Sequence, residues 1–270
     1  MSVQLEDRGR RWAPALAAML LQSLFVGLCC LRQGAVAPEA FERHVPDDTY
    51  YYLQVAWNVA AGAGSCFSVG EPTNGYHPLW LLVLAGVQWL CQTSRDHLAV
   101  TAVVLGGWLG ALAAVPLQAL LVGLGAGAAR ARIAAWFFAI NPWTLSLLVS
   151  GLETGAFLLL WLLFLAQVVT GDPRSLRSSL GFGALAGLLM LARTDAVLVT
   201  GGVFVWAALR GARGLGWLLL AGVTASLVVA PWLAWSWSRF GTVMQSSSDA
   251  IPMVMRHGLD GGLAEHVATG

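Results

Sequence analysis

The stretch WAPALAAMLLQSLFVGLCCL, Trp12–Leu31, decides the class of this chain. A helix needs about 20 residues to cross the hydrocarbon core of a bilayer, and this run supplies them without one Asp, Glu, Arg or His. Arg8, Arg10 and Arg11 stand immediately before it. A secretory signal has a shorter apolar core and a small-residue cleavage site, so a retained first span is expected. The same character recurs at about 78–91, 98–128, 132–149, 153–169, 178–192, 196–209 and 214–237, with polar punctuation between. Over all 270 residues, 57% are hydrophobic and 11% charged, and mean hydropathy is +0.70. A soluble domain carries roughly 25% charged residues. A water-soluble globule cannot hide so much apolar surface, so an all-α polytopic membrane protein is predicted.

The net charge of +1 offers no reason to expect a nucleic-acid partner. All 15 basic residues are Arg, which together with abundant Ala, Gly, Leu and Val suggests GC-rich bacterial coding. Of the four cysteines, Cys29, Cys30 and Cys91 sit in apolar runs and only Cys66 in a polar loop. That spacing gives neither a disulfide framework nor a metal-ligand set.

Arginine placement sets the orientation. Arg8, Arg10 and Arg11 precede the first span, and Arg130/Arg132, Arg174/Arg177 and Arg210/Arg213 mark later turns. If these clusters are cytoplasmic, residues 1–11 are too, and the loop 33–77 faces outside. That loop carries Glu39, Glu42, Asp47, Asp48 and Glu71 against Arg43 and, at its edge, Arg32. Between it and Arg130 the chain must cross an odd number of times, yet two apolar stretches lie there. The short 78–91 is therefore expected to lie at the surface or re-enter, leaving about seven crossings within 12–237. The competing reading makes 78–91 a span and bends 98–128 into a hairpin at Pro116. The tail 238–270 would begin an extracytoplasmic segment, and a truncated chain is expected.

The outer loop reads DDTYYYLQVAWNVAAGAGSCFSVGEPTNGYHP, Asp47–Pro78. Residues 49–61 suit an amphipathic helix with Asp47 or Asp48 near its N-cap. Tyr50, Tyr51, Tyr52 and Trp57 suit the headgroup layer, while Gly62, Gly64, Pro72 and Asn74-Gly75 are turn chemistry. The adjacent carboxylates are either a helix cap on a solvated loop or a general base at the membrane surface. Glu153 is the sole acid between Asp96 and Asp172; it is either a first-turn acid at a helix start or a group facing a cavity. Arg193-Thr194-Asp195 breaks an apolar run. An outer arginine wants an anion, which is Glu153, Asp195 or a lipid phosphate. His77 is a lone interfacial histidine, a phosphate binder or a proton shuttle, and the Pro231–Trp237 segment, with Arg239 next, reads as an interfacial anchor. Walker, GxGxxG, HExxH and G-x-S-x-G signatures are absent. Gly-rich stretches such as Gly123–Gly127 read as helix-packing surfaces.

The loop, together with SGLETG, ARTDAVL and PWLAWSWSRFGT, resembles the GT-C glycosyltransferases, which use lipid-linked sugars and include protein O-mannosyltransferases and aminoarabinose transferases. The resemblance covers about residues 12–245, and the loop is its most specific part. It implies a GT-C-like core of about seven transmembrane helices with a large first extracytoplasmic loop carrying juxtamembrane helices. It further implies a polyprenyl-phosphate-linked sugar donor, a glycan, lipid or protein acceptor, and inverting transfer at the outer face of the bacterial cytoplasmic membrane. Asp47 then corresponds to the catalytic base and Asp48 to its neighbour. Glu153 corresponds to a second acidic motif, and His77 or Arg193 to phosphate-binding groups. Asp195, Tyr51 and Asn74 complete the expected substrate-binding set. No cofactor is called for, and a divalent metal lacks a clear ligand set. Family members usually continue beyond the core, so the chain is expected to be a fragment or a reduced form. A lipid or solute transporter and a non-catalytic scaffold are the alternatives from other classes. Charge gathered at one face argues against the transporter.

Overall fold

The computed structural model describes residues 2–33, 45–68, 70–172, 175–209 and 214–245. Arg174, Arg210, Arg213, the loop acids Glu39 and Glu42 and the tail from 246 onward lie outside the described residues. Eleven α-helices account for nearly all of what is described: α1 (Ser2–Gln33), α2 (Asp47–Ala60), α3 (Pro78–Cys91), α4 (Arg95–Leu112), α5 (Ala114–Gly123), α6 (Ala128–Ile140), α7 (Pro142–Leu148), α8 (Thr154–Thr170), α9 (Leu176–Ala192), α10 (Ala196–Leu209) and α11 (Leu215–Phe240). Three are long and apolar enough to cross a membrane: Arg11–Cys30, the continuous Arg95–Gly123 pair α4–α5, and Leu215–Phe240. Four shorter apolar helices, α3, α8, α9 and α10, accompany them.

The surface chemistry runs opposite to that of a soluble bundle. On α1 the exposed stripe is Leu16, Leu20, Leu24 and Leu28, whereas Ala15 and Ala18 are the residues wholly buried. Leu198, Leu215 and Leu227 are likewise turned outward. Large aliphatic groups outward and small ones inward suit a lipid solvent, where helices associate through close backbone approach instead of hydrophobic exclusion.

Small residues make the helix contacts. A Cβ at Gly155 of α8 would collide with the Gly106 carbonyl of α4, and one at Gly183 of α9 would collide with the Ala221 carbonyl of α11. Gly187, one turn on, presses against Val228. Gly123 packs on Val169 and Thr170 as a packing glycine should, but Gly125 adopts φ +91° in the turn between α5 and α6.

These contacts fix which helix ends lie together. Gln118 donates to the Arg11 carbonyl at 2.9 Å, Trp108 donates to Ser23 at 3.1 Å, and Val26 meets Val103, so α1 and α4–α5 run antiparallel. Helix α8 runs parallel to α4–α5, from Gly155 at Gly106 to Val169 at Gly123. Helices α9 and α11 form the most extensive pair and are also parallel, with Ser179 donating to the Trp217 carbonyl at 2.7 Å. One end of the bundle therefore collects α2, α3, the start of α4, the turns 149–153 and 193–195, and the end of α11. The opposite end carries Arg11, Arg130, Arg132 and Arg177.

Two sequence expectations need correction, the bend at Pro116 and the unbroken 132–149 stretch. The 98–128 run is one continuous stretch, as favoured, and not the competing hairpin: Ala113 stays in the right-handed helical region at φ −60°, ψ −21°, and α4 runs on into α5. The break falls at Ala113 and not at Pro116, because Pro116 supplies no N–H to the turn before it. The 132–149 stretch is two helices, since Asn141 is extended at φ −63°, ψ 124° and caps Pro142–Leu148 by accepting from the Trp143 N–H at 2.9 Å. Helix α3 keeps the expected bounds 78–91, with His77 at its N-cap position and Gln92, at a left-handed φ of 46°, at its C-cap position. Arg95 follows closely and sits 5.4 Å over the Trp57 ring of α2, so α3 lies alongside α2 at one end.

Candidate functional site

Asp47 and Asp48 are the first two residues of α2, not its cap. Pro46 occupies the cap position and no side chain caps the helix. Acids in a first turn are favoured by the unpaired N–H groups and the helix dipole there. The next residue, Thr49, is fully buried and donates to the Ser150 carbonyl at 2.8 Å. Trp80 of α3 donates to the adjacent Gly151 carbonyl at 2.9 Å. Gly151 has φ +77° and a Cβ there would stand 2.9 Å from the Thr49 methyl, so only glycine lets this turn close on α2. The turn is thus clamped by α2 and α3, and it presents Glu153 at the start of α8.

Glu153 is 4% exposed. Its Oε1 lies 3.2 Å from Arg193 Nη1 and 3.8 Å from His77 Nε2, while its Oε2 is buried with no hydrogen-bond partner. Arg193 ends α9 and also grips Asp195 through two parallel bonds, Nε to Oδ1 and Nη2 to Oδ2, each 3.1 Å. The extended backbone at Arg193, φ −153°, is what lets charges two residues apart face each other, as they cannot on a helix. The two protein carboxylates expected as alternative partners are both engaged at once.

His77 caps α3 and is half-buried. Gln245, from the segment after α11, donates to the Tyr76 carbonyl at 2.7 Å and to His77 Nδ1 at 3.2 Å. The first bond fixes the amide so that its nitrogen faces the ring. His77 Nδ1 is then the acceptor, and the ring proton sits on Nε2, toward Glu153. Burial holds the His77 pKa below its ordinary 6.5, with Glu153 pulling the other way. Burial, with the Glu153 charge beside it, pushes the Tyr52 phenol far above its ordinary range. That hydroxyl accepts from the His77 backbone N–H at 2.9 Å. A histidine whose folded pKa is depressed leaves the unfolded chain binding more protons below 6.5. The stability it contributes is therefore present above 6.5 and is lost as pH falls toward the lower folded value. Thermal midpoints measured from pH 7.5 to 5 are expected to fall, and His77→Gln to flatten that slope.

The eight expected residues divide into three groups. His77, Glu153, Arg193 and Asp195 form one bonded cluster. Asp47 and Asp48 head the helix that carries Thr49 and Tyr52 onto that cluster, and they line a cavity of about 550 Å³ with Trp57, Phe67, Arg95 and Asp96. Tyr51 and Asn74 shape the loop. The Tyr51 ring stacks on Phe67 at 5.4 Å and its hydroxyl pairs with that of Thr73. Asn74 is 1% exposed and donates to Ser236 Oγ at 2.8 Å and to the Met244 carbonyl at 3.0 Å, tying the loop to the end of α11. Asn74→Ala is expected to cost about 1–3 kcal/mol, the penalty for buried partners left unsatisfied, read as a lower thermal midpoint in detergent.

Sequence reasoning missed Tyr52, Arg95 and Gln245. Tyr52 follows Asp48 by four residues, so helical spacing alone puts it on the same face. Arg95 and Gln245 gave no local signal. Among the described residues, no group of three or more His, Cys, Asp or Glu is placed to hold a metal ion. Comparison with protein-family models, with curated proteins and with solved structures finds no match to this chain.

Proposed function

We propose that this chain is a membrane glycosyltransferase of the GT-C kind. It moves a sugar from a polyprenyl-phosphate donor to an acceptor hydroxyl at the extracytoplasmic face of the bacterial cytoplasmic membrane. The observation that carries this reading is the gathering, at the end of the bundle away from Arg11, Arg130, Arg132 and Arg177, of Asp47 and Asp48 with Glu153, His77 and Arg193. The proposed topology has seven passages, α1, α4–α5, α6–α7, α8, α9, α10 and α11, with α2 and α3 on the outer surface. Helices α8 and α9 have 17 residues, or roughly 25 Å at 1.5 Å per residue. They fit a bilayer thinned at the site.

In the proposed reaction Asp47 takes the acceptor's proton as the acceptor oxygen attacks C1 from the face opposite the phosphate. The C1–O bond to phosphate breaks, its electron pair leaves with the polyprenyl phosphate, and the anomeric centre inverts. The acceptor is a glycan, a lipid or a protein entering the cavity beside Asp47 and Asp48, where Trp57 and Phe67 offer aromatic faces. The donor arrives laterally through the lipid. Arg193 is already bonded to two carboxylates, so its role here is to hold Glu153 and Asp195. The departing phosphate needs another cation. The charged groups of the described cluster stand together at one end of the bundle and not along its middle, which favours transfer over transport.

The reading is tested with the purified chain in vesicles, offered polyprenyl-phosphate hexoses and pentoses with candidate glycan, lipid and peptide acceptors. Product with inverted anomeric configuration is expected. Failure of the unaltered chain to transfer or hydrolyse any such donor would remove it.

A further inference from the structure

We propose that a groove walled by Tyr76, Leu81, Leu82, Trp232 and Trp235, with Arg239 at its edge, binds the phosphate headgroup of a lipid. It encloses about 530 Å³. The proposal stands on the charge distribution at this end of the bundle, whether or not the chain transfers sugars.

The bonded cluster cannot serve an anion. Glu153 and Asp195 outnumber Arg193, and His77 is held toward its neutral form, so the cluster is net negative. The cavity at the head of α2 is no better, with Asp47, Asp48 and Asp96 against Arg95. The groove beside α11 alone among these three sites carries a net positive charge, because Arg239 lines it and no carboxylate does. Glu71 falls between two lining residues, Gly70 and Pro72, but does not itself line the groove.

Arg239 sits in the last turn of α11, where the helix dipole favours a cation. The dipole accounts for its place but fills none of its five N–H donors, and no carboxylate pairs with it among the described residues. A guanidinium at the extracytoplasmic end runs against the positive-inside bias and matches a phosphate in a two-bond fork. About two turns earlier on the same helix, and lining the same groove, Trp232 has its indole N–H buried without an acceptor. Trp232 stacks on Trp235 at 4.9 Å and tilts against Tyr76 at 5.5 Å, which makes a stiff aromatic wall of the kind that sits at headgroup level. The opposite wall runs out through Leu82, 59% exposed, onto the apolar surface of the bundle. Apolar walls continuous with that surface suit an acyl or prenyl chain and would leave a free phosphate without partners over most of the groove.

The test is native mass spectrometry of the purified full chain in detergent. It is titrated with a polyprenyl monophosphate, with phosphatidylglycerol and with phosphatidylcholine, each with and without inorganic phosphate as competitor. The anionic lipids are expected to be retained over phosphatidylcholine and not displaced by inorganic phosphate. Arg239→Gln should weaken retention about tenfold or more, as loss of a charge-assisted contact does, with Arg239→Lys in between and Trp235→Leu reducing retention with the charge intact. Preference for the monophosphate assigns a dedicated lipid substrate, and equal retention of phosphatidylglycerol assigns bulk anionic lipid; both support the site. Unchanged retention in Arg239→Gln, or displacement by inorganic phosphate, overturns it. Asp47→Asn should keep lipid retention in full, so failure of the transferase reading and failure of this one are distinguishable.

Discussion

Asn in place of Asp47 is expected to lower turnover by about 10²–10⁴, the usual contribution of a positioned general base, while leaving expression and thermal midpoint within experimental scatter. The structural reason for the second half is that Asp47 makes no capping bond and lines a cavity instead of packing in the core. A loss confined to turnover, with the donor concentration at half-maximal rate unchanged, separates a base from a binding group. Asp48→Asn is the internal comparison, and an equal loss in both variants would mean that the two carboxylates act as a pair. Full activity in Asp47→Asn would remove that residue as the base.

The second large effect is structural. Gly155→Ala places a methyl on the Gly106 carbonyl and within 3.1 Å of the Gly110 nitrogen. Both obstacles are backbone, so the two helices must separate along their contact, and the expected cost is about 3 kcal/mol or more. Gly181→Ala on α9 meets nothing within 4 Å. It should be neutral or stabilising by up to about 1 kcal/mol, because alanine is the better helix former. The pair of thermal midpoints, followed by tryptophan fluorescence in one detergent, tests whether α4 and α8 approach as closely as described. Equal midpoints would contradict that contact. Since α8 presents Glu153 at its first turn, Gly155→Ala is also expected to disturb the cluster with His77 and Arg193.

Much of the helical layout was legible in the sequence because it is written locally. Apolar runs of fixed length have one solution in lipid, and alternating arginine clusters constrain which ends lie together. That logic placed residues 78–91 beside the outer loop, where α3 packs on α2. It also put Glu153 and Arg193 at one end before any contact was known. Breaks inside runs were less legible. Asn141-Pro142 carries a recognised turn signal, yet the surrounding apolar run masked it, and proline at 116 acted three residues upstream at Ala113. Least legible were contacts made by segments far apart in the chain. Nothing near Gln245 points to His77, 168 residues away. Nothing near Arg95 points to Trp57. The double engagement of Arg193 needed the extended backbone at the end of α9, which no periodicity encodes. Periodicity reports which face of a helix is buried, whereas a site made at helix ends depends on how the turns fold back.

The central claim is that the loop acids, the turn before α8 and the turn after α9 share one side of the membrane. Single cysteines at Ala61, Leu152 and Thr194, and at Gly127 and Gly214, can be placed in a chain whose Cys29, Cys30, Cys66 and Cys91 are serine. A membrane-impermeant maleimide applied to intact cells reads their sidedness. Labelling of the first three from outside, with Gly127 and Gly214 reached only after permeabilisation, is the predicted result. Labelling at Ala61 with Leu152 or Thr194 protected until permeabilisation would put the aspartates and the Glu153–Arg193 pair on opposite sides, and the account would fail.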